Sequence, residues 1–257
     1  MREAGEHTSW TEPDEAHEAS VLAAVDAAFD DPRVRAVLDR LCDAVVAPGW
    51  SNALAAKLLD LTIPGVPDLY QGSELWELSL VDPDNRRAVD FDHRTRLLAE
   101  VRTGERPPRP TTAEDAGAAK LLLSHLALTA RRDHSDWFTG YTPLDADGPA
   151  AGHVVAFDRG GAIAVATRLP VGLDADGGWR DTVLTLPGGR WRDALTGRVV
   201  AVDDHGATRL GDLLASYPVA LLLRDERRPG ERGRFDVWAP DARRVRLVAG
   251  ERRVEMV

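Results

Sequence analysis

Between Thr62 and Phe91 the chain runs TIPGVPDLYQGSELWELSLVDPDNRRAVDF, a stretch dense in turn formers, carboxylates, amides and paired arginines. That mixture suits a polyhydroxylated ligand such as a sugar: Asp and Asn exchange hydrogen bonds with vicinal hydroxyls, and Arg presents a planar fork of donors. Trp76 could cover the apolar face of a sugar ring or fill core. A loop of this kind, following a short apolar strand, is where an α/β barrel keeps its site. Gly65, Pro67 and Gly72 also suit tight turns whatever the function. Glu74 with Asp82 or Asp84 is the local pair of acids with the chemistry for glycoside cleavage, which needs two carboxyl groups flanking the scissile bond.

Other chemistries fail on spacing. Asp82, Asp84 and Asn85 imitate a calcium loop, but the sixth and twelfth places hold Arg87 and His93 where an EF-hand needs Gly and Glu. The seven histidines are scattered without paired ligand spacing, so no metal site is expected. Cys42 lies in an apolar helical pattern, where a free thiol behaves as a small hydrophobe. Ser51, in GWSNA, lacks the second glycine of a hydrolase elbow. Gly160-Gly161 reads as a hairpin turn between two strands, not a phosphate cradle. No cofactor is called for.

Composition narrows the class. The 257 residues are 44% apolar and 29% charged, which places the chain among globular proteins with room for one large or two modest domains. A formal charge of -10 disfavours nucleic acid and anionic lipid as partners, and no apolar run approaches a membrane span. The basic residues are arginines apart from Lys57 and Lys120. One cysteine forbids an intrachain disulfide, and MREAGEHTSW lacks the apolar core of a signal peptide, so cytoplasmic residence is the expectation.

The elements that must position the loop follow from periodicity. Three-to-four spacing of apolar residues predicts helices from Asp14 to Ala47, the second starting at Asp31-Pro32 and stopping at Pro48-Gly49. Ser51 is placed as the cap of a third helix carrying Leu54, Leu58 and Leu61. Val66 to Tyr70 is expected as a strand, and a polar loop follows to His93. After the Pro-rich ERPPRPTT, Thr112 and Asp115 resemble a capping box opening a helix through Leu121, Leu122, Leu126 and Leu128. Beyond Tyr141 the period becomes two, and HVVAF, AIAVATR, TVLTL, RVVAV and PVALLLR predict an antiparallel β domain. A charged connector, RDERRPGERG, leads to a last segment with its own strand alternation, too short for an independent core.

Together HTSWTEPDEAHEA, PGWSNALAAKLLDLTIPGVPDLYQGSELWELSLVDPDNRRAVDF and WRDALTGR resemble the maltooligosyltrehalose synthases, from about Met1 to Arg224. PDLYQGSEL by itself indicates only the wider α-amylase superfamily, where a similar turn follows the eighth barrel strand; SLVDPDNRRAVDF is more specific. The resemblance implies α/β plus all-β architecture: residues 1–134 as the last part of a (β/α)8 barrel, 135–224 as an antiparallel β-sandwich-like domain, 225–233 as a linker, and 234–257 as a truncated β segment. It implies an isomerase that converts the reducing-end α-1,4 linkage of a maltooligosaccharide to α,α-1,1 by intramolecular transglycosylation. The family's nucleophile, acid/base and third carboxylate all precede the segment matching REAGEHTSW, so no catalytic residue is expected here. Tyr70, Gln71, Glu74, Asp84, Asn85, Arg86 and Arg87 remain as candidate sugar contacts or supports, with a maltooligosaccharide or α-glucan as ligand. Gly5 and Ala88 depart from the family's usual Lys and Pro. RFDVWAPDARRVRLV resembles the opening strands of the immunoglobulin-like β-sandwich preceding the barrel in maltooligosyltrehalose trehalohydrolase and in glycogen branching enzymes; its place directly behind a synthase-like segment favours the trehalohydrolase and implies a fused or adjacent partner of that kind. The missing amino-terminal barrel portion is a second implied partner, and a noncatalytic sugar-binding or assembly subunit is the alternative.

Overall fold

The computed structural model describes residues 1–103, 107, 117–202, 206–225, 245–249 and 252–256. Helix α1 spans Glu15–Asp30 and is capped by Asp14, whose carboxylate accepts from the His17 backbone N–H at 2.9 Å. Helix α2 follows at once, Pro32–Thr62, with Asp31 accepting from the Arg33 backbone N–H at 2.8 Å and Pro32 in the first turn, as expected.

The expected break at Pro48-Gly49 does not occur: α2 continues through both residues, and Ser51 is buried within it instead of capping a new helix. An interior proline costs ~3 kcal/mol. Leu54, Leu58 and Leu61 are essentially fully buried just beyond it. At ~1.5–3 kcal/mol per buried leucine, their packing outweighs the proline. Cys42, expected among packed side chains, is exposed on the amino-terminal half of the same helix. Among the described residues no helix is long and apolar enough to cross a membrane.

The strand expected at Val66–Tyr70 is also absent: these residues have no ladder partner, and Val66 is 96% exposed. Pro64 and Pro67 remove donors here. Every strand pair among the described residues is antiparallel, so no parallel neighbour is present to hold such a segment. Helix α3 then covers Phe91–Thr103 and α4 covers Ala118–Asp133. The proposed cap residues Thr112 and Asp115 lie outside the described residues. Gly117 precedes α4 at φ +78°, where an added Cβ would sit 2.9 Å from the Trp76 backbone nitrogen, so this close approach requires glycine.

From Phe138 the chain builds two antiparallel sheets. Strands β1 (Phe138–Pro143), β2 (Ala146–Asp147), β3 (Val154–Gly160) and β4 (Ala162–Thr167) precede a short helix α5 (Pro170–Ala175). Next come β5 (Val183–Thr185), β6 (Gly189–Asp193), β7 (Val199–Val202), β8 (Ala207–Arg209), helix α6 (Leu210–Leu213) and β9 (Val219–Arg224). One sheet runs β1-β3-β4-β9-β6-β7 and the other β2-β5-β8. All five segments read from alternation form strands, and Gly160-Gly161 joins β3 to β4.

Alternation divides the central strands between two cores. Ala162, Ala164, Ala166, Val219 and Leu221 join Leu54, Leu58, Leu61 and the α4 leucines in one, while Ile163, Val165, Ala220 and Leu222 join Leu184, Trp191 and Leu210 in the other. Helices and sheets thus make one compact unit, Met1–Asp225. In the second unit, Glu226–Val257, the described residues form an antiparallel hairpin of β10 (Val245–Ala249) and β11 (Arg252–Met256). The RFDVWAP part of the tail lies outside the described residues.

Four cations fasten the end of α2 and the loop after it. Arg159 on β3, 4% exposed, donates to the carbonyls of Thr62, Phe138 and Gly140. Arg131 on α4 donates to Leu61 O at 3.1 Å and Gly65 O at 2.7 Å. Lys57 Nζ lies 3.3 Å from Ser73 Oγ and 3.5 Å from an Asp60 carboxylate oxygen. Lys120 Nζ donates to Leu75 O at 2.9 Å and lies 5.7 Å from the Trp76 ring centroid. Trp76 in turn stacks on Trp50 with centroids 4.4 Å apart. Both lysines are only 8% exposed.

Arg159→Met should lower unfolding stability in urea by ~3 kcal/mol, because three carbonyls lose a shared charged donor. Arg159→Lys should recover only part of this, since an ammonium cannot fork across three acceptors; an unchanged urea midpoint for the methionine variant would contradict the assignment. Burial, followed by repulsion from Lys57, pulls Lys120 from its ordinary 10.5 down to about 8. Between these values the folded chain binds fewer protons than the unfolded chain, so stability contributed at this position rises with pH across that window. Lys120→Met should abolish the rise, which denaturant titrations at pH 7.5 and pH 10 would compare.

Candidate functional site

Past Tyr70 the backbone turns twice, Ser73 N–H donating to Tyr70 O and Leu75 N–H to Gly72 O, at 3.0 and 3.3 Å. It is held by Arg94 from the first turn of α3. That guanidinium pairs with the Glu74 carboxylate and donates to Asp90 O at 3.1 Å and Gly72 O at 3.2 Å. Glu74 is therefore a fastening residue, matched to a cation, and not a free acid in a cleft.

The DPDNRR segment forms a short 3-10 turn, Asp84–Arg86. Asp84 accepts from the Leu80 backbone N–H at 2.7 Å and pairs with Arg87. The backbone N–H first, and Arg87 second, hold its carboxyl below the usual range. Arg86 makes a two-pronged contact with Asp82, at 2.5 and 2.9 Å. Glu77 accepts from the Ser79 backbone N–H at 2.9 Å.

These contacts leave a polar cleft of about 210 Å³ walled by Gln71, Glu77, Ser79, Asp84, Asn85, Arg87 and Arg94, with Ala88 and Val89. Four of the seven sequence-predicted residues, Gln71, Asp84, Asn85 and Arg87, meet there. Tyr70, half exposed, and Arg86 do not line it. Glu74 instead lines a neighbouring, more apolar cavity of about 440 Å³ with Leu69, Leu98, Leu121, His125 and Arg132. Asn85 Oδ1 is buried and has no hydrogen-bond partner among the described residues, an acceptor available to a ligand hydroxyl. The arrangement can accept and donate several hydrogen bonds to neutral hydroxyls. It brings Asp82 and Asp84 onto arginines, so neither stands opposite Glu74 as a free partner for glycoside cleavage.

Sequence reasoning missed Arg94, Glu77, Lys57 and Lys120. The lysines left a trace: Lys57 interrupts the apolar stripe Leu54-Leu58-Leu61, and Lys120 adjoins Leu121-Leu122-Leu123. A cation on a buried stripe must find acceptors inside. Arg94 left none, since its partners lie up to 22 residues away.

No protein-family profile matches the chain. A protein of Mycobacterium tuberculosis that carries the name maltooligosyl trehalose synthase is 46% identical over 228 residues, covering 88% of this chain and 27% of the relative. The solved maltooligosyltrehalose synthase of Arthrobacter ramosus superposes with a TM-score of 0.78 at 50% identity, covering 87% of this chain and 29% of that one. A solved glycosyltrehalose synthase of strain DSM5389 gives a TM-score of 0.66 at 26% identity, again over 87% of this chain. The chain spans less than a third of the length of these relatives. Over nearly all of its compact unit, the chain is homologous to a part of maltooligosyltrehalose synthase, a match consistent with the carboxyl-terminal portion of that enzyme.

Proposed function

We propose that this chain is the carboxyl-terminal portion of a maltooligosyltrehalose synthase. Its Tyr70–Arg94 loop supplies sugar contacts on the active face of a (β/α)8 barrel whose remainder carries the catalytic carboxylates. The reaction is isomerisation of a maltooligosaccharide, with trehalose formation as its setting and the cytoplasm as its compartment. The 50% identity with the Arthrobacter ramosus synthase carries this reading. The cleft around Asn85 supports it, because its chemistry matches neutral hydroxyls. In this reading residues 1–134 close the barrel, 135–224 form the appended β-sandwich-like domain, and 234–257 begin a trehalohydrolase-like segment.

Glu74, Asp82 and Asp84 are each paired with an arginine, so the acids with the sequence pattern for glycoside cleavage offer no free carboxylate pair. Carboxylates already matched to a cation are poorly placed to stabilise charge developing on a sugar. Purified chain incubated with maltopentaose should therefore cause no loss of reducing ends; any loss would overturn the assignment of the chemistry to the missing portion, and its survival in Glu74→Ala and Asp84→Ala would exclude these acids as its source.

A second role, as an assembly subunit, is favoured by one observation. Helix α1 buries no residue, and Leu22, Val25, Phe29, Val37, Leu41 and Val45 are exposed along α1 and α2. Apolar surface of that extent calls for a covering partner, and the remaining barrel portion of the synthase is the occupant proposed. Coexpression with the upstream part of a synthase should yield a stable complex with isomerase activity. In that complex Asp84→Ala, which frees Arg87 and the Leu80 N–H, should raise KM several-fold with a smaller change in kcat.

A further inference from the structure

Away from the loop, a cavity of about 290 Å³ opens between α2, the segment after β4 and the short helices α5 and α6. Ser51, Thr167, Asp174 and Trp179 bring the polar and aromatic chemistry to its wall, with Leu173 and Leu214 among the apolar lining. It shares no residue with the Gln71–Arg94 cleft. Ser51 is 5% exposed, and its Oγ has no hydrogen-bond partner among the described residues. A helix serine ordinarily bonds back to the carbonyl four residues earlier, so a buried free hydroxyl beside a cavity requires another explanation.

The backbone at this place is unusual as well. Leu169, at φ +51°, and Arg180, at φ +48°, are the two non-glycine residues of positive φ among the described residues, and they bracket the segment that carries Asp174 and Trp179. Such conformations are costly for residues with a side chain and persist where surrounding structure enforces them. The enforcing contacts are visible: Gly178 N–H donates to Leu173 O at 2.8 Å, and Thr182 N–H donates to Trp179 O at 2.9 Å. They fix Trp179 at the cavity wall, where it also packs on the second core.

The lining contains no lysine, arginine or histidine, which argues against phosphate or carboxylate ligands. An indole, one carboxylate and hydroxyl-bearing walls suit a neutral ring with an apolar face and several hydroxyls. At 290 Å³ the space sits at the small end of ligand pockets, which run from about 300 to 1,000 Å³, so it takes one ring and not a chain. We propose that this cavity is a subsite for a single glucosyl unit of an α-glucan, with Trp179 against the ring face and Asp174 and Ser51 as hydroxyl partners. The choice of glucose over other neutral hexoses rests on the α-glucan reading above; the choice of a neutral ring does not.

The test uses the full 257-residue chain labelled with 5-fluorotryptophan, the Trp179 resonance being assigned through Trp179→Phe. Maltotriose should shift the Trp179 resonance saturably, and Asp174→Ala, an exposed substitution, should weaken that binding about tenfold, as expected for loss of a hydrogen bond to a charged group. Asn85 lines the loop cleft and not this cavity, so maltotriose should still move Trp179 in an Asn85→Ala chain even where the loop reading fails. A Trp179 shift with mannose but not maltotriose would overturn the glucosyl assignment. No shift with any neutral hexose, or a shift only with ethylammonium, would overturn the subsite altogether.

Discussion

The guanidinium of Arg159 is the constraint on which the arrangement of this molecule turns. It projects from a strand of the six-stranded sheet and satisfies the carbonyl of Thr62 at the end of α2 together with those of Phe138 and Gly140 at the start of the sheet. A helix end has carbonyls without intrahelical partners, and burying them against a sheet is costly unless donors are supplied. Arg159 and Arg131 supply them from two different elements. The position at which the chain leaves α2 and enters the Tyr70–Arg94 loop is thereby tied to the sheet and to α4 at once.

Packing follows from that tie. The helices cover one face of the central strands through alanines, whose small side chains let Leu54, Leu58 and Leu61 approach the sheet closely. The other face carries Ile163, Val165 and Leu222 into the second core. Strands buried on both faces read as continuous apolar runs, which AIAVA and VALLL are. Small residues on one side and branched ones on the other record which layer each face meets.

Much of the β region was legible for this reason: its five read strands need only local alternation and turn signals. Strands β1, β2, β6 and β8 did not announce themselves: β2 and β8 are too short for alternation, and β1 (FTGYTP) and β6 (GRWRD) carry Gly, Pro or charged residues where an apolar run would be read. The helical half was misjudged where tertiary burial overrode local rules. Pro48-Gly49 is a stop signal by propensity, yet the leucines beyond it bind the helix to the core. Val66–Tyr70 has strand composition, but composition cannot supply a neighbouring strand. In the loop, residue types announced hydroxyl chemistry, whereas their grouping did not follow from type. Gln71, Asp84, Asn85 and Arg87 converge because Arg94 and two lysines pin the backbone between them, and Glu74 is consumed by that pinning.

The burial of Lys57 and Lys120 has a consequence for the chemistry of the surface. The chain has no other lysine, so its folded form leaves no side-chain amine on the surface. Acylating reagents should then leave the side chains of the folded protein unmarked. Modification at the two side-chain amines would report unfolding, turning a compositional accident into an internal gauge of structural integrity.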